Sequence, residues 1–496
     1  MAMYLFLALP IILIFLLTQR KSPVAKLRHP PGPPGLPFIG NLLQYDSSNL
    51  HLSLTKLSKK YGPLMYMKIV RKPVIIISSA RVAEEALKHN DLAFSSRPST
   101  TCGVKLSYDN RDIATSPYSE YWREMRKLVI LHLFTLKQVN SFRPVREEEV
   151  SRMVKEILEK ANSGQLVNIN RVAVSLSSSI ICRIALGKRY DDKGSERRSF
   201  DKLLEQLQAS SVEFFVADCV PLLGWIDKLS GKVSRLEKVF KDMDSFYQEV
   251  IDEHLSPNRP QSMNGDILDL LIGLREDRSS SVQIDWDNIK GLLMNIFVAG
   301  TDTSAVAITW AMTALVKKPN ILKKVQEEIR SLIGKKGRVY EDDIDKLPYL
   351  KAVVKESLRL HPPTPLALPR LTTKPCNIDG YEIEPDTLVF VNVWAIGRDP
   401  DYWENPNEFL PERFLNSSID FKGQDFGFLT FGSGRRRCPG MSLGIKEVEV
   451  ALANLLYMFD WELPRGMSEE DIDTDSLPGL TTQKKNALCL VPKSYL

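Results

Sequence analysis

Phe431-Gly432-Ser433-Gly434-Arg435-Arg436-Arg437-Cys438-Pro439-Gly440 is the stretch that decides the fold. The run after it, Met441 to Phe459, carries the apolar pattern of a helix. A cysteine just ahead of a helix meets free backbone N–H groups and the positive end of the helix dipole, and both stabilise a thiolate. Gly434 and Gly440 let the backbone turn tightly around that sulfur. A lone cysteine here fits a buried thiol or a nucleophile as well. Phe, Gly, Arg, Cys and Gly in one register are far more specific.

Working outward, the run from Asp285 to Lys318 is apolar on nearly every face, through Leu292, Leu293, Ile296, Phe297, Val298, Val306, Ile308 and Trp310. It predicts a buried helix capped by Asp285, about 50 Å long at ~1.5 Å per residue. Ala299-Gly300-Thr301-Asp302-Thr303-Ser304 interrupts it with poor helix formers. Their hydroxyls can bond back to the preceding turn, which predicts a local bulge. In Lys355-Glu356-Ser357-Leu358-Arg359, Glu356 and Arg359 share a helix face, and the apolar neighbours Val353, Val354, Leu358 and Leu360 predict burial. Arg413, in Pro411-Glu412-Arg413-Phe414, can complete that network. In Trp122-Arg123-Glu124-Met125-Arg126, an indole N–H and a guanidinium four residues apart point the same way.

Short strands are expected over Leu64 to Ile69 and Val74 to Ser78, and again over Asn377 to Ile383 and Thr387 to Val393. Helical patterns dominate from about Ala80 to His361, an irregular stretch runs to about Leu429, and a hairpin-like segment closes the chain. The fold class is mainly α with small β-sheets (α+β). The composition has bounds too. An apolar fraction of 43% in 496 residues excludes wholesale disorder and a many-helix transporter. Six Cys with no CxxC pair exclude a disulfide scaffold and structural zinc. Lys plus Arg exceed Asp plus Glu by only 66 − 61 = 5, which excludes nucleic-acid binding by bulk charge.

The first 19 residues, Met1 to Gln19, carry no charge, just enough for one spanning helix. Basic residues follow rather than precede them, at Arg20, Lys21, Lys26 and Arg28, and no small-residue cleavage site is present. This pattern predicts an uncleaved anchor over 1–19 with the remainder in the cytosol. A basic, proline-rich hinge over 20–40 comes next, held down by Leu36, Phe38 and Ile39, and then one catalytic unit over 41–496.

The four motifs, in this order, resemble the cytochrome P-450 superfamily, and the anchor, the Ala-Gly-Thr-Asp-Thr-Ser run and Pro-Glu-Arg-Phe look most like its plant A-type microsomal members. The resemblance implies haem b, with Cys438 as axial thiolate ligand of the iron in a loop that also matches at Phe431, Gly434 and Gly440. It implies that Trp122, Arg126, Arg370 and Arg436 grip the propionates, that Thr303 bonds dioxygen and Asp302 relays protons, and that Glu356, Arg359 and Arg413 are structural. The implied reaction is a monooxygenation in the endoplasmic reticulum membrane, with electrons passing from NADPH through a flavin reductase. Arg123, Arg126, Lys127, Arg435, Arg436, Arg437 and Lys446 would give that partner a basic docking face.

By the same resemblance the substrate pocket is lined by the segment from Cys102 to Tyr118, by Ile296, Ala299, Gly300 and Thr303, and by Leu366, Ala367, Leu368, Leu480 and Thr481. The short later segments carry no charge, which suits a small neutral or aromatic metabolite. A coumarin-like phenolic is favoured over a terpenoid or an oxime. Two rival readings are a membrane-tethered haem carrier or sensor, which needs no acid–alcohol pair, and a lumenal hydrolase, which predicts glycosylation at Asn416-Ser417-Ser418.

Overall fold

The computed structural model describes residues 28–495 apart from 45, 47, 191–194, 212, 260–264 and 278–281. The anchor expected over 1–19 and the beginning of the hinge lie outside the described residues. The described hinge is tied to the body by its backbone: Pro31 O accepts from Tyr66 N at 2.9 Å, and Leu36 and Gly40 exchange N–H···O bonds at 2.8 and 2.9 Å. Of the three apolar side chains expected to hold it down, Ile39 is partly buried and the other two are not. Leu36 and Phe38 are both about half exposed, because the turn puts Phe38 at a φ of +64° with its side chain outward.

Among the described residues, nine short strands form three small sheets. They are β1 (Leu64–Ile69), β2 (Lys72–Ile77), β3 (Val167–Asn168), β4 (Arg370–Leu371), β5 (Cys376–Ile378), β6 (Tyr381–Ile383), β7 (Leu388–Val391), β8 (Phe459–Glu462) and β9 (Cys489–Ser494). The largest sheet has the order β1-β2-β7-β4, with β2 and β7 parallel and the outer pairs antiparallel. Val74-Ile75-Ile76-Ile77 lacks hydrophobic alternation because both faces of β2 are covered. Ile75 and Ile77 join Val389 and Val391 in one apolar cluster, while Val74 and Ile76 join Met65, Met67 and Leu54 in another. The closing segment pairs β8 with β9 antiparallel across 26 intervening residues, so it is a long-range pairing and not a tight hairpin.

Five helices position the site: α1 (Glu120–Leu133), α2 (Ile169–Leu186), α3 (Trp286–Val316), α4 (Pro348–Leu360) and α5 (Met441–Met458). Helix α3 starts as expected, with Asp285 and Asn288 forming a reciprocal cap at 2.9 and 3.0 Å. The expected bulge is absent, and the helix is continuous through Ala299–Ser304. The Thr303, Thr309 and Thr313 hydroxyls donate to Ala299 O, Ala305 O and Thr309 O at 2.6, 2.9 and 2.7 Å, sharing carbonyls the helix already uses, so no rung has to open. Helices α2 and α3 are each long and apolar enough to cross a membrane, yet both are mostly buried and pack on one another inside the fold. A Cβ at Gly300 would stand 2.6 Å from Ile181 Cδ1, so with glycine here the two helices approach without displacing the end of that side chain.

The α4 network is assembled as the sequence suggested. Arg359 donates to both Glu356 oxygens at 2.7 and 2.8 Å, Arg413 Nε donates to Glu356 Oε1 at 3.1 Å, and Leu410 N adds a bond of 2.7 Å. All these groups are paired out of water, which is what makes buried charge tolerable. Glu356→Ala should strand two guanidinium groups and cost about 3–5 kcal/mol, read as a fall in thermal or denaturant midpoint.

Candidate active site

The cysteine loop folds back on itself where Cys438 N donates to Phe431 O at 2.9 Å. Gly434 sits at a φ of +67°, and a Cβ there would run into the Asp91 carboxylate, which also accepts from Arg435 N at 3.2 Å. Ser433 Oγ donates to Gly423 O at 2.6 Å and Arg437 to Lys422 O at 2.7 Å, fixing both ends of the turn. Cys438 keeps accessible surface although protein surrounds it, so it faces an internal space. Burial pushes its thiol up, against the N–H groups of Gly440 and Met441 and the guanidiniums of Arg126 and Arg437, which favour the thiolate.

Beside this loop lies a cluster of buried guanidinium groups. Arg436 donates to Ser95 O, Ile113 O and Ser116 O at 2.7, 3.3 and 2.7 Å and lies over the Trp122 ring, 3.7 Å from its centroid. Arg370 donates to Phe94 O and Ser433 O at 3.2 and 3.0 Å. Arg97 donates to Ala114 O, Leu368 O and Pro369 O at 3.0, 2.6 and 2.8 Å. Every one of these bonds goes to a backbone carbonyl. The nearby Asp112 carboxylate is taken up by Thr115, Ser116 and Asn295. Burial, then mutual repulsion, pulls Arg436 down to about 9. Arg370 falls to about 10, again mainly through burial. Arg97 is displaced well below the usual arginine range by burial and by its two neighbours.

Crowded, desolvated cations of this kind are a poor arrangement by themselves and a good one around a dianion. Together with a cysteine at a helix N-terminus, they fit the two propionates and the iron of haem b. The Trp122 indole N–H does not point freely toward such a ligand. It donates to Ile113 O at 3.0 Å, and the ring acts as a shelf for Arg436, with Arg126 also over it at 5.5 Å and bonded to Arg437 O. Arg97 was invisible in the sequence because one arginine in a loop carries no periodic or motif signal.

On α3, Ala299 is exposed and Thr303 partly so in the middle of a buried helix, four residues apart on one face with Ile296. That face therefore looks into an internal space. Gly300 is turned toward Ile181 instead and serves helix packing. The Asp302 side chain is buried and accepts from Thr481 Oγ1 and from Gln483 Nε2, the latter at 2.5 Å. Burial raises its carboxyl above the ordinary range, and the two donors oppose the shift. Leu366 and Ala367 pack on the clusters around the first sheet, while Leu368 offers its carbonyl to Arg97. Across the site, Gly444 of α5 lies close to the Ser304 hydroxyl, so the helix that begins at the cysteine loop is laid directly against the oxygen motif.

The family description "Cytochrome P450" matches residues 30–491. The chain is 49% identical to 6,7,8-trihydroxycoumarin synthase of Pastinaca sativa, over 100% of this chain and 99% of that one. It is 47% identical to xanthotoxol synthase of the same plant, with 100% and 99% covered. Among solved structures it is similar to a zebra fish cytochrome P450 with progesterone, at 25% identity and a TM-score of 0.77, covering 89% of this chain and 99% of that one. The chain belongs to the cytochrome P450 family, and it is a monooxygenase that uses thiolate-ligated haem b and electrons supplied by a reductase.

Proposed function

We propose that the protein hydroxylates a coumarin or a similar planar phenolic held against the Ala299–Thr303 face of α3. The observation that carries this reading is the Arg97, Arg370 and Arg436 cluster beside Cys438, buried and hydrogen-bonded only to backbone carbonyls, an anion-demanding cradle. The substrate class is supported by a relative whose name specifies a coumarin product. In this reading Cys438 ligates the iron, the three arginines with Arg126 hold the propionates, and Phe431, Gly434 and Gly440 shape the loop. Bound there, haem b supplies the activation of dioxygen, so that one atom enters a C–H bond as hydroxyl and the other leaves as water with two electrons and two protons.

The chain's own part is proton control. The Thr303 hydroxyl is donated to Ala299 O, and it must give up that bond, worth about 1 kcal/mol, before it can donate toward the site. Asp302, its carboxyl raised above the ordinary range by burial, is placed one residue away to hold and release a proton. A carrier or sensor has no use for this pair. The partner is an NADPH-dependent flavin reductase, and the location is the endoplasmic reticulum membrane, anchored by residues 1–19 with the rest in the cytosol.

The docking face is narrower than the sequence suggests. Arg436 is buried, Lys446 stands 3.7 Å from Glu341, and Arg435 is paired with Asp91 at 3.0 Å. Arg123 and Lys127 remain exposed on α1, Lys127 3.9 Å from Glu124.

Three outcomes test this account. Mass spectrometry of a coumarin panel incubated with reductase and NADPH should give a product one oxygen heavier, and Thr303→Ala should cut product per NADPH on the order of tenfold while releasing peroxide. Absence of any oxygenated coumarin would overturn the substrate class. Arg97→Leu should speed haem loss to apomyoglobin on the order of tenfold, since one desolvated cation facing the propionates is gone. Arg123→Glu with Lys127→Glu should slow reductase-supported turnover several-fold at low salt, with the gap closing as salt rises and the haem spectrum unchanged.

A further inference from the structure

Residues 475–485 form a closed loop near the C-terminus. Leu477 N donates to Gln483 O at 2.8 Å, Lys485 N donates to Asp475 O at 2.9 Å, and Ser476 bridges to Lys484. Leu477, Pro478 and Gly479 form its exposed tip. The returning arm is firmly anchored. Thr482 N donates to Pro363 O at 2.9 Å, Thr482 Oγ1 donates to Pro362 O at 3.0 Å, and Trp310 Nε1 donates to Thr482 O at 2.6 Å. Trp310 lies two turns along α3 from Asp302 and is itself fixed by stacking on His361, 4.6 Å between ring centroids and 5° from parallel. The buried Lys484 amine is held by Asp473 at 3.1 Å.

In an extended arm alternate side chains point the same way. With Thr482 committed to the Pro362-Pro363 side, Thr481 and Gln483 are aimed together, and both end on the Asp302 carboxylate. Thr303, the neighbouring alcohol, makes no hydrogen bond to Asp302 and donates to Ala299 O instead. The acid is thus gripped from the C-terminal loop and held apart from the alcohol it has to serve.

We propose that Thr481 and Gln483 are positioning residues for Asp302: they hold its carboxyl toward the C-terminal loop, so that proton delivery to the Thr303 side depends on how that loop is seated. Leu480, half-buried beside Thr481, links the seating to whatever occupies the substrate side. This rests on the reading of Asp302 and Thr303 as the oxygen-activating pair. It adds that proton delivery is gated by residues more than 175 positions away in the chain, and that substrate contact and proton supply share one loop. Thr481 is then less a wall of the pocket than a brace behind it.

The test uses the holoenzyme carrying isotope-labelled aspartate. In the ferric state, without reductase, the infrared carboxylate band that disappears in Asp302→Asn is assigned to Asp302. Gln483→Leu and Thr481→Val should each shift that band and raise the peroxide share of NADPH consumed several-fold. Thr481→Ser, which keeps the hydroxyl, should restore both. Thr481→Val exchanges a hydroxyl for a methyl of the same size, so it remains informative should Gln483→Leu misfold. An unmoved band and an unchanged peroxide share in Thr481→Val would overturn the proposal, as would Thr481→Ser behaving like Val. The underlying reading fails separately: in that case Asp302→Asn itself leaves the peroxide share unchanged while the carbon monoxide difference spectrum still reports a thiolate haem.

Discussion

Arg97, Arg370 and Arg436 stand together inside the fold, hydrogen-bonded to backbone carbonyls alone, and desolvated guanidinium groups repel one another. The carbonyls come from residues 94–95 and 113–116, from 368–369 and from Ser433 in the cysteine loop. Three chain segments far apart in sequence are therefore tied to one charge cluster. Because the cluster calls for an anion, binding that anion completes the fold as well as the site. The Glu356, Arg359 and Arg413 network plays the complementary part: there both guanidiniums meet a carboxylate inside the protein, so it stiffens its surroundings without asking for a ligand.

The oxygen motif lies on α3, the helix whose Asn295 is bonded to residues 112–114 beside that cluster. Its alcohol is bonded along its own helix, and its acid is bonded across to the C-terminal loop. The two groups that must act together are each satisfied elsewhere, which keeps a buried pair stable until something rearranges one of them.

Much of this was legible in the sequence, for identifiable physical reasons. Strand β1 falls where its β-branched and aromatic pattern put it, and the Asp285 cap and the long apolar run located α3, because burial on all sides leaves an unmistakable composition. The cysteine loop was legible because its residue types serve one geometric purpose within ten positions. The departures share a cause as well. The role of Arg97 and the Asp302–Gln483 bond depend on chain segments distant in sequence, and local pattern carries no record of them. Leu36 and Phe38 misled because hydrophobicity alone does not say which way a turn will point a side chain. The missing bulge followed from hydroxyls sharing carbonyls rather than displacing their bonds.

The contact at Gly300 bears on how such a protein can change its diet. With Ile181 against the bare backbone of α3 and α2 packed along it, that helix is closely backed by its neighbour, and retreating would disturb a packed core. A bulkier or differently shaped guest cannot be accommodated by moving it. New specificities must then come from the other borders, the segments around 102–118, 366–368 and 477–481, while the wall that carries the oxygen chemistry stays where it is.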